Sequence, residues 1–303
     1  MATAPSERAL PAFRAGEVYG RQRNLWIDAA RRLVRNRLAV VGMVIVALFI
    51  ILAVGAPIFQ RYQPYSYQNY SALQQGPSWT HFFGTDALGH DNWSQVLRGL
   101  RVSLTVGFAV AALDLIIGIS VGAAAALGGR FTDSIVMRLV DVAYGFPDLL
   151  LIILMAAIFG GGLWQVIVAI SLVNWLGVSR LVRGQMLSLR ESDYALAART
   201  LGASQLRIVV VHILPNTLGP VIVALTFAIP NAIFAEAALT FIGIGLPPPT
   251  ASLGRLINSG YEYIQSNGWL VTFPALAVAL LMLSFTFIGD GLRDALDPRT
   301  RGS

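Results

Sequence analysis

Three groups of residues in this 303-residue chain have side chains that could do chemistry. The first is "GISVG" at 118–122, which places Ser120 in the G-x-S-x-G spacing of a nucleophile elbow. An elbow needs a strand–turn–helix, and this stretch lies inside a long apolar run. Gly118 and Gly122 also form G-x-x-x-G, a surface on which a second membrane helix packs closely, and the apolar context supports that reading. The second group is His81, Asp86, His90 and Asp91. Two imidazoles and two carboxylates are acceptable metal ligands, but their spacing matches no metal motif. The surrounding "GTDALGHD" is rich in Gly and Asp, residues that close turns and cap helices. The third group is Asp114 and Glu236, which are ionisable, together with Asn174 and Asn231, all in apolar segments. An ionisable group in a bilayer is costly and faces a polar path or a partner. Glu236, Asn231 and Asp114 are therefore the candidates for a translocation pathway, and the asparagines can also hydrogen-bond between helices.

Two absent residue types narrow the chemistry. The chain has no Lys, so all 22 basic residues are Arg. A P-loop requires G-x-x-x-x-G-K-[ST], so no Walker A site is present, and a Schiff-base lysine is excluded. There is no Cys, which removes disulfides and Cys-ligated zinc. No catalytic residue, metal or cofactor is assigned to this chain. If ATP powers its action, ATP and Mg belong to another subunit.

The elements that must hold these residues are membrane helices. Hydrophobic residues make up 55% of the chain and charged ones 13%, about half the usual charged share of a soluble domain. A bilayer-spanning helix needs about 20 mostly apolar residues. Six segments qualify: 38–59, 102–127, 135–159, 163–182, 218–244 and 271–289. The fifth contains Pro220 and Pro230, tolerated where neighbours satisfy the freed carbonyls. With the N-terminus inside, 18 arginines fall in cytoplasmic segments and only Arg61, Arg98, Arg101 and Arg255 outside. That asymmetry follows the positive-inside rule and accounts for the net charge of +6 without nucleic-acid binding. Both termini are expected in the cytoplasm. The first span is too long, and its preceding tail too extended, for a cleaved signal peptide.

In the tail 1–37, Trp26, Ala30, Leu33 and Val34 share one helical face with arginines opposite, a pattern suited to a helix lying on the inner leaflet. The outer loop 60–101 is aromatic and polar. In it, Trp93, Val96, Leu97 and Leu100 recur at helical spacing after Asp91, a natural N-cap, and lead into the second span.

Between the fourth and fifth spans the oily pattern breaks. The stretch 194–216 reads "YALAARTLGASQLRIVVVHILPN". Ser192 or Asp193 caps a first helix with Tyr194, Ala197, Ala198 and Leu201 on one face. Gly202 ends it in the left-handed conformation. Ser204 caps a second helix with Leu206, Val209, Val210 and Ile213 as an apolar stripe, and Pro215 closes it. This is a helix–turn–helix too short to cross a membrane. Its small residues Ala197, Ala198, Gly202 and Ala203 let another backbone approach, and its polar face, with Arg199 and Arg207, is free for a cytosolic protein.

These residues resemble the "EAA" loop of binding-protein-dependent ABC importers, E-A-A-x-x-x-G-x9-I-x-L-P. Ala197, Ala198, Gly202, Leu214 and Pro215 match, while Leu196 replaces the Glu and His212 the Ile. "FFGTDALGHDNWSQVLRGLRVSL" is similar to the loop before the second span of C-type permeases of dipeptide and oligopeptide importers, with His90 where Arg is usual. "AEAALTFIGIGLPPPTASLG" is similar to their fifth-span exit, with Leu253 where Trp is usual, and "GDGLRDALDPR" to their ending. The resemblance covers about residues 24–300. It implies an all-α, polytopic membrane protein with six transmembrane helices and the type I ABC importer permease fold. In that arrangement 1–37 is the cytoplasmic tail and 38–59 the first helix. Residues 60–101 form the extracytoplasmic loop, 102–291 the transmembrane domain, and 292–303 the second cytoplasmic tail. It further implies a heterodimer with a B-type permease, two ATPase subunits beneath, and an extracytoplasmic substrate-binding protein. All of these would sit at a bacterial or archaeal plasma membrane. The loop 183–217 would be the coupling element, with Asp193, Tyr194, Ala197, Ala198, Arg199, Gly202, Ala203, Ser204, Arg207, Leu214 and Pro215 meeting an ATPase. Peptides are the implied cargo; glutathione, nickel and oligosaccharides are carried by related permeases. An ion-coupled secondary transporter would show internal repeats, which are not evident here, and an intramembrane hydrolase would rest on Ser120 alone.

Overall fold

A computed structural model describes residues 25–63 and 65–297. The readings that involve Arg8, Arg14, Arg21, Arg23, Arg299 and Arg301 lie outside the described residues. The helices run α1 (Leu25–Arg35), α2 (Arg37–Val54), α3 (Ala56–Phe59), α4 (Asn92–Leu127), α5 (Gly129–Tyr144), α6 (Asp148–Phe159) and α7 (Leu163–Arg190). They continue with α8 (Asp193–Thr200), α9 (Gln205–Ile208), a π-helical turn (Val209–Ile213), α10 (Leu214–Phe241), α11 (Leu253–Tyr261) and α12 (Trp269–Leu296). Among the described residues the only strand-like pairing is an isolated antiparallel bridge between Thr85 and Asp91.

Among the described residues five helical stretches are long and apolar enough to cross a bilayer, and α5 with α6 makes a sixth bent by 92°. The expected straight span 135–159 is therefore two helices. Pro147 supplies no N–H to continue the ladder and Gly145 precedes it, so the chain turns at "GFP". The expected first span 38–59 stops at Val54, where Gly55 breaks it, and α3 follows as a separate turn. The fourth helix does not end at 182 but continues to Arg190.

Packing follows the small residues. A Cβ on Gly118 would lie 2.5 Å from Val178 Cγ1, and one on Gly122 would lie 2.6 Å from the Ser179 carbonyl. The G-x-x-x-G face thus seats α4 directly on α7, with the two helices running parallel. Ser120 points away from that contact, exposed, its hydroxyl donating to the Ile116 carbonyl at 2.7 Å, as is usual for a membrane-helix serine. Gly291 of α12 does the same for the N-terminal pair, since its Cβ would meet Ala39 at 2.5 Å and Leu33 at 3.1 Å. Leu33 therefore faces α12, while Trp26, two turns earlier on the same face, and Val34 stay exposed.

Three apolar clusters hold the bundle. One joins α2, α4, α10 and α12 through Val46, Leu104, Ile233 and Leu281. A second joins α4, α6, α7 and α10 through Val110, Ile152, Ile170 and Leu239. The third joins the ends of α7 and α10 to the helix–turn–helix through Met186, Ala195, Ile208 and Ile213. Elsewhere large apolar side chains such as Ile51, Ile116, Leu150 and Ile158 point outward, as lipid-facing positions do.

Candidate functional site

The helix–turn–helix is built largely from backbone geometry. Ser192 precedes α8 in an extended conformation, its hydroxyl donating back to the Leu189 carbonyl. At the other end Gly202 has φ +81°. The Gly202 N–H donates to the Arg199 carbonyl (3.0 Å) and the Ala203 N–H to the Ala198 carbonyl (3.0 Å). Together these bonds make a Schellman motif, which requires the left-handed residue that Gly supplies. A Cβ at Gly202 would meet nothing within 4 Å, so the constraint is conformational rather than steric. Ser204 then caps α9, its Oγ accepting from the Arg207 N–H at 3.4 Å.

The second helix of the pair differs from the expectation. Pro215 does not close it. It sits in the first turn of α10, where its missing N–H costs nothing. The chain runs from α9 through the π-helical turn into α10 without a break, so the helix–turn–helix and the fifth span are one rod. The π turn inserts an extra residue and shifts the buried positions. Ile208, Val209 and Ile213 face inward, whereas Leu206 and Val210, expected in the apolar stripe, are exposed. On α8 the inward residues are Ala195 and, in part, Ala198; Tyr194 is 41% exposed, and its ring lies 6.5 Å from the His212 ring. Asp193, Ala197, Arg199, Arg207 and Pro215 are exposed, and Ala203 and Leu214 are half-buried. The free surface is therefore not only polar. Leu201 (86% exposed) and Leu206 (72% exposed) stand at the tip between Arg199 and Arg207. The sequence signal for them was present but was assigned to the inner face.

The pathway candidates separate. Glu236 is fully buried, and its carboxylate accepts from three hydroxyls: Ser103 of α4 at 3.0 Å, Thr240 of α10 at 3.1 Å, and Ser252, which precedes α11. Its place in an apolar run points to a conduit-facing or helix-contact role, and here it makes the helix contact, enclosed by its own chain. Gly254 lets α11 sit against α10, since a Cβ there would lie 2.2 Å from the Ala237 carbonyl. Glu236 thus pins the entry of α11 to α4 and α10. Asn231 is exposed on the flank of α10. Asp114 is fully buried, and neither carboxylate oxygen has a hydrogen-bond partner among the described residues. The Ser171 hydroxyl of α7 is likewise unpaired.

The His/Asp cluster resolves into two pairs. His81 Nδ1 lies 2.9 Å from Asp91 Oδ1, while Asp91 Oδ2 accepts from the Ser94 N–H (2.9 Å) and Oγ (2.7 Å) and so caps α4. His90 Nδ1 lies 2.8 Å from Asp86 Oδ2, and the Asp86 oxygens also accept from the Leu88 and His90 N–H groups and from Gln95. Burial pushes the Asp86 carboxyl up, but these bonds outweigh it and leave it below the ordinary value. Both pairs hold the loop onto the start of α4.

The family described as binding-protein-dependent transport system inner membrane component matches residues 115–302, and the N-terminal TM domain of oligopeptide transport permease C matches residues 24–77. The chain belongs to this permease family. Its similarity to the oligopeptide transport system permease protein OppC of Bacillus subtilis is 41% identity, covering 92% of this chain and 91% of that protein. With the dipeptide transport system permease protein DppC of the same organism it is 43%, covering 90% and 86%. Among solved structures, an inward-facing conformation of the MetNI methionine ABC transporter matches with a TM-score of 0.55 at 21% identity. That match covers 67% of this chain and 96% of that one, and it shows the fold. The family is an inner-membrane one, and the permease fold, with six apolar crossings counting the bent pair, is that of an ABC importer. Like its relatives, this permease is a membrane subunit of an ABC transport system.

Proposed function

We propose that this permease forms one half of a translocation pathway that imports small peptides, driven by ATP hydrolysis on separate subunits. The observation that carries the proposal is the helix–turn–helix α8–α9. It is rigidly capped, anchored below by Met186, Ala195, Ile208 and Ile213, and presents Leu201 and Leu206 between two arginines to solvent. A rigid, amphipathic tip too short to enter lipid needs a protein partner, and an ATPase groove is the partner that couples it to nucleotide. The named oligopeptide and dipeptide transport relatives support peptides as cargo. In this reading Asp193, Arg199, Gly202, Ser204 and Arg207 contact the ATPase directly, and Ala197, Ala198 and Ala203 allow close approach. Leu214 and Pro215 start the rod that receives the motion. A second, B-type permease completes the pathway, two ATPases hold ATP and Mg, and a binding protein delivers cargo at the face bearing residues 60–91. This chain holds no nucleotide or other cofactor and does no chemistry.

Orientation follows the arginine distribution: both termini and 183–217 in the cytoplasm, 60–91 outside, 102–291 as the transmembrane domain. Single cysteines can report it because the chain has no native one. Ser71→Cys is expected to react with an impermeant maleimide in intact cells, and Ser192→Cys to react only after lysis; the reverse pattern overturns the orientation. Co-expressed with a B-type permease and two ATPases, the chain is expected to co-purify with them and to support ATP-dependent peptide uptake. ATP turnover by the isolated, contaminant-free chain refutes the division of labour.

A further inference from the structure

At the end of the bundle that carries the loop 65–91 lies a cavity of about 680 Å³, between that loop, the segment 248–251 and α11. Ligand pockets typically measure about 300–1,000 Å³. One wall is the face of α11 bearing Arg255, continued by Glu262 at the helix end. These two residues are seven apart, two helical turns, which places them about 10 Å from one another along the axis. The opposite face of α11 is sealed by Leu253 and Gly254 against the bundle.

The charges on this wall form no ion pair among the described residues. Arg255 makes a single long hydrogen bond, from Nη1 to the Thr250 carbonyl at 3.4 Å. A guanidinium has five N–H donors, and Arg255 forms no ion pair with any described carboxylate. Glu262 is exposed and likewise forms no ion pair among the described residues. The other cavity carboxylate, Asp86, is hydrogen-bonded to His90 and Gln95 and reaches Arg255 only through its field, without an ion pair. A half-buried, unpaired cation favours an anionic ligand, and a carboxylate is the planar anion that a guanidinium holds in bidentate fashion. An extended peptide spans about 3.3–3.6 Å per residue, so three residues reach about 10 Å. The remaining wall carries Tyr65, Pro248, Pro249 and Tyr263, surfaces that contact apolar groups without demanding one side chain.

We propose that this cavity is a subsite for small zwitterionic peptides, with Arg255 holding the terminal carboxylate and Glu262 the terminal ammonium. The inference rests on peptides being the cargo. It adds where on this chain the free ends are read, and it places that reading before the membrane crossing. An acidic side chain of a docking protein is the competing occupant, but a single side chain leaves most of the volume empty and gives Glu262 nothing to pair with.

The test uses the complete assembly, this chain with its partner permease and ATPases, in nanodiscs without binding protein or nucleotide. Equilibrium binding is measured with radiolabelled trialanine, trialanine amide and N-acetyl-trialanine. The wild-type assembly is expected to prefer trialanine over both blocked forms. Arg255→Gln is expected to weaken trialanine binding about tenfold or more, the scale of a lost charge-assisted bond, and to erase the preference over the amide. Glu262→Gln is expected to erase the preference over the N-acetyl form alone, and Arg255→Lys to restore part of the affinity. Subunit recovery on purification checks that each variant is assembled. Absent trialanine binding in wild type, unchanged binding in both charge-removing variants, or variants that alter only capture of a loaded binding protein each overturn the proposal. If the wild-type assembly with binding protein and ATP takes up no peptide at all, the peptide reading itself falls. If it takes up peptides while Arg255→Gln and Glu262→Gln bind trialanine normally, only the subsite falls.

Discussion

The two ends of α10 are fixed by opposite means. At the start, the chain is held by backbone: a Schellman turn at Gly202, a serine cap at Ser204, and a π turn that merges into the helix. At the far end it is held by side chains, with Glu236 drawing hydroxyls from α4, α10 and the segment before α11 into one buried knot. The first arrangement leaves the surface open, with Leu201 and Leu206 uncovered; the second leaves nothing exposed. The tip takes its shape from the main chain, which leaves its side chains uncovered, as the proposed docking requires. A region that must only hold the fold can spend its side chains internally.

The largest effect is expected where this contrast is sharpest. Gly202→Val is expected to abolish uptake and ATPase co-purification while leaving recovery of the paired permease near wild type. A branched residue at φ +81° costs about 1 kcal/mol or more. Because a Cβ there meets no neighbour, Gly202→Asn, which tolerates the left-handed region, is expected to keep most activity. Equal loss in the Val and Asn variants would mean that the surface rather than the backbone sets the requirement. Arg199→Glu is expected to weaken ATPase recovery too, more at low salt than at high salt.

Next comes Glu236→Leu. It strands three buried hydroxyls, of which Ser103 and Thr240 sit in helices where an i−4 carbonyl is the usual alternative acceptor, so the assembly is expected to lose about 1–3 kcal/mol. A lowered thermal midpoint with intact ATPase docking is the predicted signature. A loss of docking at unchanged stability would join the two ends of α10 into one site and break the comparison.

A smaller effect is expected at Asp86. Its carboxyl lies below the ordinary 3.8 in the folded chain, so its contribution is fully present above that value and is lost as pH falls below it. Asp86→Asn is expected to destabilise the assembly by about 1 kcal/mol at neutral pH. The gap in melting temperature from wild type should close as pH drops below about 3.8. A gap that stays constant with pH refutes a role for the charged form. Last, Ser120→Ala is expected to leave uptake unchanged, since that hydroxyl only donates to its own helix; a loss of uptake would reopen a chemical role for the serine.

Much of this was legible because it is local. Asp91 as a cap, Gly202 as a left-handed stop, and Gly118 with Gly122 as a packing face each depend on residues within a few positions. The six apolar runs follow from composition in the same way. What failed to show is long-range or hidden by uniform hydropathy. The 92° break at 145–147 lies inside an expected span that also carries Arg138, Asp141 and Asp148, and Gly145 and Pro147 mark it, but total length and hydropathy alone read as one crossing. The fusion of the second short helix with the fifth span was masked by Pro215, which starts a helix as readily as it ends one. Glu236 stands out as an ionisable residue in an apolar run, but its partners come from 133 residues earlier and 16 later, and no pattern in the chain announces them.

The unbroken course from Gln205 to Phe241 has a mechanical consequence. Had a flexible loop joined the exposed tip to the membrane rod, a push on the tip would be absorbed in loop bending. With a helix rising about 1.5 Å per residue and no loop in between, the tip and the knot at Glu236 are two stations on one lever. Its compliant points are set by sequence, at Pro220 and Pro230, where the ladder lacks a rung. Under the proposed ATPase docking, a force on the tip would bend this rod at those fixed places, and the response would be a property of this one helix.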